Sequence, residues 1–116
     1  MQPTPTLRQL VHDVGDLDAA VARYRDAFGL TVAVHDPSGW AVLHGDHLEL
    51  ALAADDQRVG ATATMTCRVE HLSTAIAELE RVGFSAAGPA TSGHHERWIR
   101  CEDPDGLALL VYERAS

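Results

Sequence analysis

The sequence predicts an α+β fold in which two βαβββ modules form a cupped mixed sheet, and three observations lead there. The first is an internal repeat, because Val14, Leu17, Ala20, Val21 and Ala22 reappear as Val69, Leu72, Ala75, Ile76 and Ala77 at one constant displacement. The second is a pair of short helical stripes, each ended by glycine. The third is that each stripe is followed by short alternating runs, of which the last are HLELALA at 47–53 and LALLVYE at 107–113.

Taken in order, a strand is expected near Leu7 to Asp13, then a helix carrying Leu17, Ala20, Val21, Tyr24 and Phe28, with Asp16 as N-cap and Gly29 as terminator. Strands follow near Thr31 to His35, Trp40 to His44 and His47 to Ala53. The second module repeats this with a strand near Ala63 to Val69, a stripe of Leu72, Ile76, Leu79 and Val82 ended by Gly83, and strands near Phe84 to Ala87, His95 to Cys101 and Leu107 to Glu113. Pro37-Ser38-Gly39 and Asp103-Pro104-Asp105-Gly106 have the chemistry of tight turns. One module cannot cover both faces of its own sheet, so two must pair to complete a core. The expectation is one domain over 1–116, with modules at about 7–53 and 62–113, the sheet faces away from the helices curving around a cavity.

Composition narrows the function. The net charge of −8 lacks the basic patch that nucleic acid requires, and better suits a cationic partner. All nine basic residues are arginine, which excludes a Walker A lysine, a Schiff-base lysine and internal pyridoxal phosphate. No apolar run approaches the roughly 20 residues that span a bilayer, and MQPTPTLRQL is no secretory signal, so a cytoplasmic protein is expected. Cys67 and Cys101 form no CxxC motif and read as small buried hydrophobes.

VGDLDAAVARYRDAFGL, HLELAL and EDPDGLALLVYE together resemble the vicinal oxygen chelate superfamily, the group of glyoxalase I, extradiol dioxygenases and the fosfomycin- and bleomycin-resistance proteins. The resemblance covers nearly the whole chain and implies the glyoxalase/bleomycin-resistance-like fold. It also implies four positions for ligands of a divalent metal, which fall here on Gln9, Thr64, Glu49 and Leu110. A carboxylate and an amide oxygen can bind a hard cation, but a threonine hydroxyl is poor and leucine has no donor. No metal and no other cofactor is therefore expected, and glyoxalase or dioxygenase chemistry falls with the metal.

Other candidates come from strand parity. Glu49 is expected on the cavity face with His47 and Ala51, while Leu48, Leu50 and Leu52 face the helices. An inward carboxylate is either held by structural hydrogen bonds or serves a ligand or a proton. Ala108, Leu110 and Tyr112 share the corresponding parity, as do Trp98 and Arg100, with Arg97 on the opposite face. Trp40 and Trp98 occupy matching places and suit either core packing or stacking on a planar ligand. Arg100 is a partner for an anionic group or for Glu49. His44 and His47 flank a Gly-Asp turn, where a metal is possible but an exposed turn histidine is commoner. His94-His95-Glu96 lacks the helical HExxH spacing and reads as a polar loop.

Two functions are expected to compete. One is a bleomycin-resistance-type homodimer that sequesters an aromatic or cationic natural product or antibiotic, contacting it through Gln9, Trp40, Glu49, Thr64, Trp98, Arg100, Leu110 and Tyr112. The other is a metal-independent isomerase, cyclase or lyase of natural-product biosynthesis, with Glu49 as general base assisted by His47, Tyr112 or Arg100. A third, a metal enzyme using Gln9, Glu49 and a displaced histidine, has the weakest support.

Overall fold

The computed structural model describes residues 8–60, 63–93 and 95–114, so Leu7 and His94 lie outside the described residues. Two compact units divide the chain, 1–61 and 62–116. Each follows the expected order of strand, helix and antiparallel strands, and the fold is α+β. Among the described residues no helix is long and apolar enough to cross a membrane.

In the first unit β1 (Leu10–Asp13) leads into α1 (Leu17–Phe28), followed by β2 (Thr31–Asp36), β3 (Trp40–His44) and β4 (Glu49–Ala53). The sheet order is β1-β4-β3-β2, with β1 parallel to β4 and the remaining pairs antiparallel. Helix α1 begins where expected, because the Asp16 carboxylate accepts a bond from the Ala19 N–H at 3.1 Å. It ends at Gly29, whose φ of 65° is the left-handed geometry that glycine adopts without strain. The buried stripe Ala20, Val21 and Tyr24 packs toward β3 and β4.

Helix packing fixes which sheet face is which. The His12 ring meets Tyr24 edge-on at 6.1 Å, and His12 stands opposite Leu52 in register. His12, Leu50, Leu52, Ala41 and Leu43 therefore face α1, and the three leucines among them have no exposed surface. Each such side chain contributes about 1.5–3 kcal/mol of burial. A bulge between Val32 and Val34 restarts the alternation of β2 and turns His35 toward α1, where its Nε2 lies 2.8 Å from Asp18 Oδ1.

The second unit comprises β5 (Thr64–Arg68), α2 (Leu72–Arg81), β6 (Ser85–Ala86), β7 (Thr91–Ser92), β8 (Glu96–Glu102) and β9 (Ala108–Arg114). Its order is β5-β9-β8-β6, with β7 also paired to β8. β6 and β7 together take the place of β2, interrupted by 87–90, where Gly88 has φ 76° and Pro89 has no N–H to give a ladder. Neither β7 nor the 3₁₀ turn Asp55–Gln57 is announced by the sequence. Leu109, Val111 and Cys101 form the buried face beneath α2.

The register also tests the repeat. Val14 N–H donates to the Ala53 carbonyl and Val69 N–H to the Tyr112 carbonyl, both at 2.9 Å, so Ala53 and Tyr112 correspond. Trp40 lies opposite Ala53 and Trp98 opposite Tyr112, as their matching places require. The counterpart of Glu49 is then Ala108 rather than Leu110. The loop before β4 is 45–48 and that before β9 is 103–107, so Gly45 and Gly106 are not equivalent landmarks.

Candidate functional site

Opposite the helix, the sheet of the first unit carries a row of side chains set by strand alternation. β1 contributes Val11 and Asp13, β4 contributes Glu49, Ala51 and Ala53, and β3 contributes Trp40, Val42 and His44. Gln9 immediately precedes β1 and falls beside Glu49, because Leu10 is paired with Leu50. Gln9 Nε2 donates to Glu49 Oε1 at 2.9 Å. His44 is the cross-strand partner of Glu49, and its Nε2 lies 3.7 Å from the same oxygen. An amide, a carboxylate and an imidazole thus meet at one end of the sheet, with the Glu49 side chain 26% exposed.

Two expectations about this edge change. Strand β4 opens at Glu49, so alternation does not extend back to His47 or Leu48, and both stand exposed in the turn. Leu48 is 41% exposed instead of facing the helix. The imidazole beside Glu49 is His44. Its position was legible from the alternation Trp40, Val42, His44 and from the short turn that folds β3 onto β4.

From this polar end the row runs over Val42 and Ala51 to Trp40, about 13 Å away at the usual rise per residue. Ala51 is fully buried, Val42 is 7% exposed and Trp40 is half-buried. A carboxylate head, an apolar floor and an aromatic end share one face.

In the second unit Thr64, Thr66 and Arg68 on β5, Ala108, Leu110 and Tyr112 on β9, and Trp98 and Arg100 on β8 share the face turned away from α2. Thr64 stands opposite Ala108 and Thr66 opposite Leu110, so each neutral hydroxyl adjoins a side chain with no donor atom. Trp98 and Tyr112 are cross-strand neighbours. Arg100 is engaged by Glu102 on its own strand at 2.9 Å. Arg97 lies on the helix side, as parity requires, and pairs with Glu113 at 3.1 Å.

The four positions that would hold a divalent metal do not fit one. Leu110, and Ala108 at the register position, offer no donor, and Thr64 offers only a neutral hydroxyl. In the first unit the Gln9 amide turns its NH₂ to Glu49, leaving the carboxylate and His44 as the strong donors.

The family model described as the Glyoxalase/Bleomycin resistance protein/Dioxygenase superfamily matches residues 7–111. Among solved structures, a glyoxalase/bleomycin resistance protein/dioxygenase family enzyme from Burkholderia phytofirmans PsJN has a TM-score of 0.77 at 11% identity, covering 92% of this chain and 97% of the other. Lactoylglutathione lyase from Agrobacterium tumefaciens has a TM-score of 0.71 at 20% identity, covering 96% and 95%. The fosfomycin resistance protein FosX from Mesorhizobium loti has a TM-score of 0.72 at 12% identity, covering 96% and 93%. At these identities the likeness is one of fold. No curated protein matches the chain.

Proposed function

The chain belongs to the Glyoxalase/Bleomycin resistance protein/Dioxygenase superfamily, and from that premise we propose that it is a metal-independent binding protein that sequesters a small natural product or antibiotic. The observation that carries this reading is the Glu49 carboxylate, bonded by Gln9 at 2.9 Å and placed at the head of an apolar strip that ends in Trp40. A partly exposed carboxylate pairs with a cationic or hydrogen-bond-donating group, and the tryptophan face suits an aromatic one. The donor set supports metal independence, because the corresponding positions of the second unit present Thr64 with Ala108 or Leu110. A cytoplasmic homodimer belongs to the same proposal.

The His44–Glu49 pair favours one second reading, a metal-independent isomerase, cyclase or lyase in which Glu49 takes a substrate proton beside the imidazole. In that reading His44 takes the role first expected of His47.

One experiment separates the two. Bleomycin and a panel of cationic aromatic natural products are titrated while tryptophan fluorescence is followed, and each compound is recovered and weighed by mass spectrometry. Sequestration predicts quenching, unchanged compound, and affinity reduced about tenfold or more in Glu49→Gln, the loss expected when a charge-assisted bond is removed. Conversion of the compound by wild type but not by Glu49→Gln would replace binding by catalysis. Failure of the whole panel to bind would reject the ligand class.

A further inference from the structure

We propose a second, anion-binding site in the second unit, on a cleft of about 400 Å³ lined by Arg68, Val69, Glu70 and Arg114. It is independent of the Glu49 strip. Arg68 stands opposite Tyr112 in the parallel pairing of β5 with β9, and Arg114 follows Tyr112 on the same face by alternation. Trp98 flanks Tyr112 on its other side. The topology therefore gathers two guanidinium groups beside an aromatic pair.

The charge pattern makes this arrangement unusual. The chain carries 17 acidic residues against nine basic ones, so carboxylates are plentiful. Arg25, Arg81, Arg97 and Arg100 each hold one within 3.2 Å, and Arg58 donates to the Val14 carbonyl. The Arg68 and Arg114 guanidinium groups hold no ion pair or hydrogen bond with any described residue, although they share a cleft wall and their backbones are paired within the sheet. Two guanidinium groups that share a cleft and hold no ion pair repel each other, and an incoming anion relieves that repulsion, although Glu96 stands opposite Arg114 in register. Guanidinium groups bind carboxylate and phosphate oxygens through two parallel bonds, which suits an oxyanion at the cleft rather than a halide. Glu70, on the same wall, opposes the anion and limits the site to modest affinity.

The ligand class is a small molecule bearing a carboxylate or a phosphate, with any aromatic part directed over Tyr112 and Trp98. The test is titration of the full-length protein with inorganic phosphate, acetate and benzoate, read by the arginine Nε–Hε signals in ¹H–¹⁵N spectra. Saturable shifts of two arginine signals are expected, with affinity falling about tenfold in Arg68→Gln and in Arg114→Gln. Glu70→Gln should tighten binding, Arg25→Gln should leave it unchanged, and added salt should weaken it. Because all four side chains are exposed, circular dichroism of each variant should match wild type. Benzoate binding more tightly than acetate and phosphate assigns an aromatic carboxylate, and phosphate leading assigns a phosphate ester. Linear, non-saturating shifts, or equal losses in the Arg25 variant, would overturn the site.

Discussion

Asp103 is one of two buried polar residues on the described chain, at 5% exposure, and its Oδ1 accepts N–H bonds from Asp105 and Leu107, both at 2.9 Å. Those bonds close the turn into β9, where Gly106 has φ 93°. Removing the acceptor leaves the buried Leu107 amide and the part-buried Asp105 amide without it, so Asp103→Ala is expected to cost about 2–4 kcal/mol, and Asp103→Asn about half of that because one oxygen remains. Urea unfolding followed by circular dichroism measures both, and equal costs would contradict the bond assignment. The turn itself was legible as Asp-Pro-Asp-Gly, and so were the parity that sets Glu49 on the sheet face away from α1 and its nearness to Gln9. His44 reads from the sequence only as one of two histidines flanking the Gly-Asp turn, because its place opposite Glu49 depends on where β4 begins. Two residues of strand length decide which histidine meets the carboxylate.

The two helices are capped by different means, and only one is visible in local sequence. α1 uses Asp16, the residue that sequence pattern selects. The equivalent residue before α2 is His71, which makes no side-chain cap bond. Its first amide is served from a distance, since Leu72 N–H donates to Glu113 Oε2 at 2.9 Å while Glu113 Oε1 takes Arg97. Asp16→Ala should therefore cost about 1 kcal/mol, the usual value for a lost cap. Glu113→Ala should cost about 1–2 kcal/mol, since it also frees a carboxylate site near the positive helix end. Arg97 is 54% exposed, so its share of that loss is small. A double-mutant cycle of Glu113→Ala with Arg97→Ala checks this, and coupling above about 1 kcal/mol would show the ion pair, not the cap, to be the main contact. Both helices and the order of strand, helix and three strands along each module followed from periodicity and glycine placement. The remote cap could not, because it requires the register of β9 beneath α2.

Across the whole chain, family membership predicts where a metal would be sought and side-chain chemistry predicts that none will be held tightly. Elemental analysis of the purified protein should find no divalent ion at stoichiometric level, and added zinc or manganese should not raise Tm by the several degrees that tight binding produces. A stoichiometric ion would reinstate the metal-enzyme reading. The alkaline behaviour of the molecule is unusually simple, because a chain without lysine lacks the groups that normally titrate near pH 10.4. Burial pushes the Cys67 thiol up, and burial followed by the nearby Glu80 carboxylate and Cys67 pushes the Cys101 thiol up. A thiol that resists ionisation in the folded state but ionises normally when unfolded favours folding only while both forms stay protonated. That contribution is complete below the unfolded thiol value, near 8.5, and is lost as pH rises from there through the raised folded values. Denaturant midpoints should therefore fall across that alkaline window in wild type and fall less in the Cys67→Ala/Cys101→Ala variant. The same protonated, covered thiols should react slowly with a disulfide reagent at pH 8, Cys101 only on unfolding, since the thiolate is the nucleophile and Cys101 has no exposed surface. Rapid labelling of both thiols in the native protein would remove the basis for the pH prediction as well.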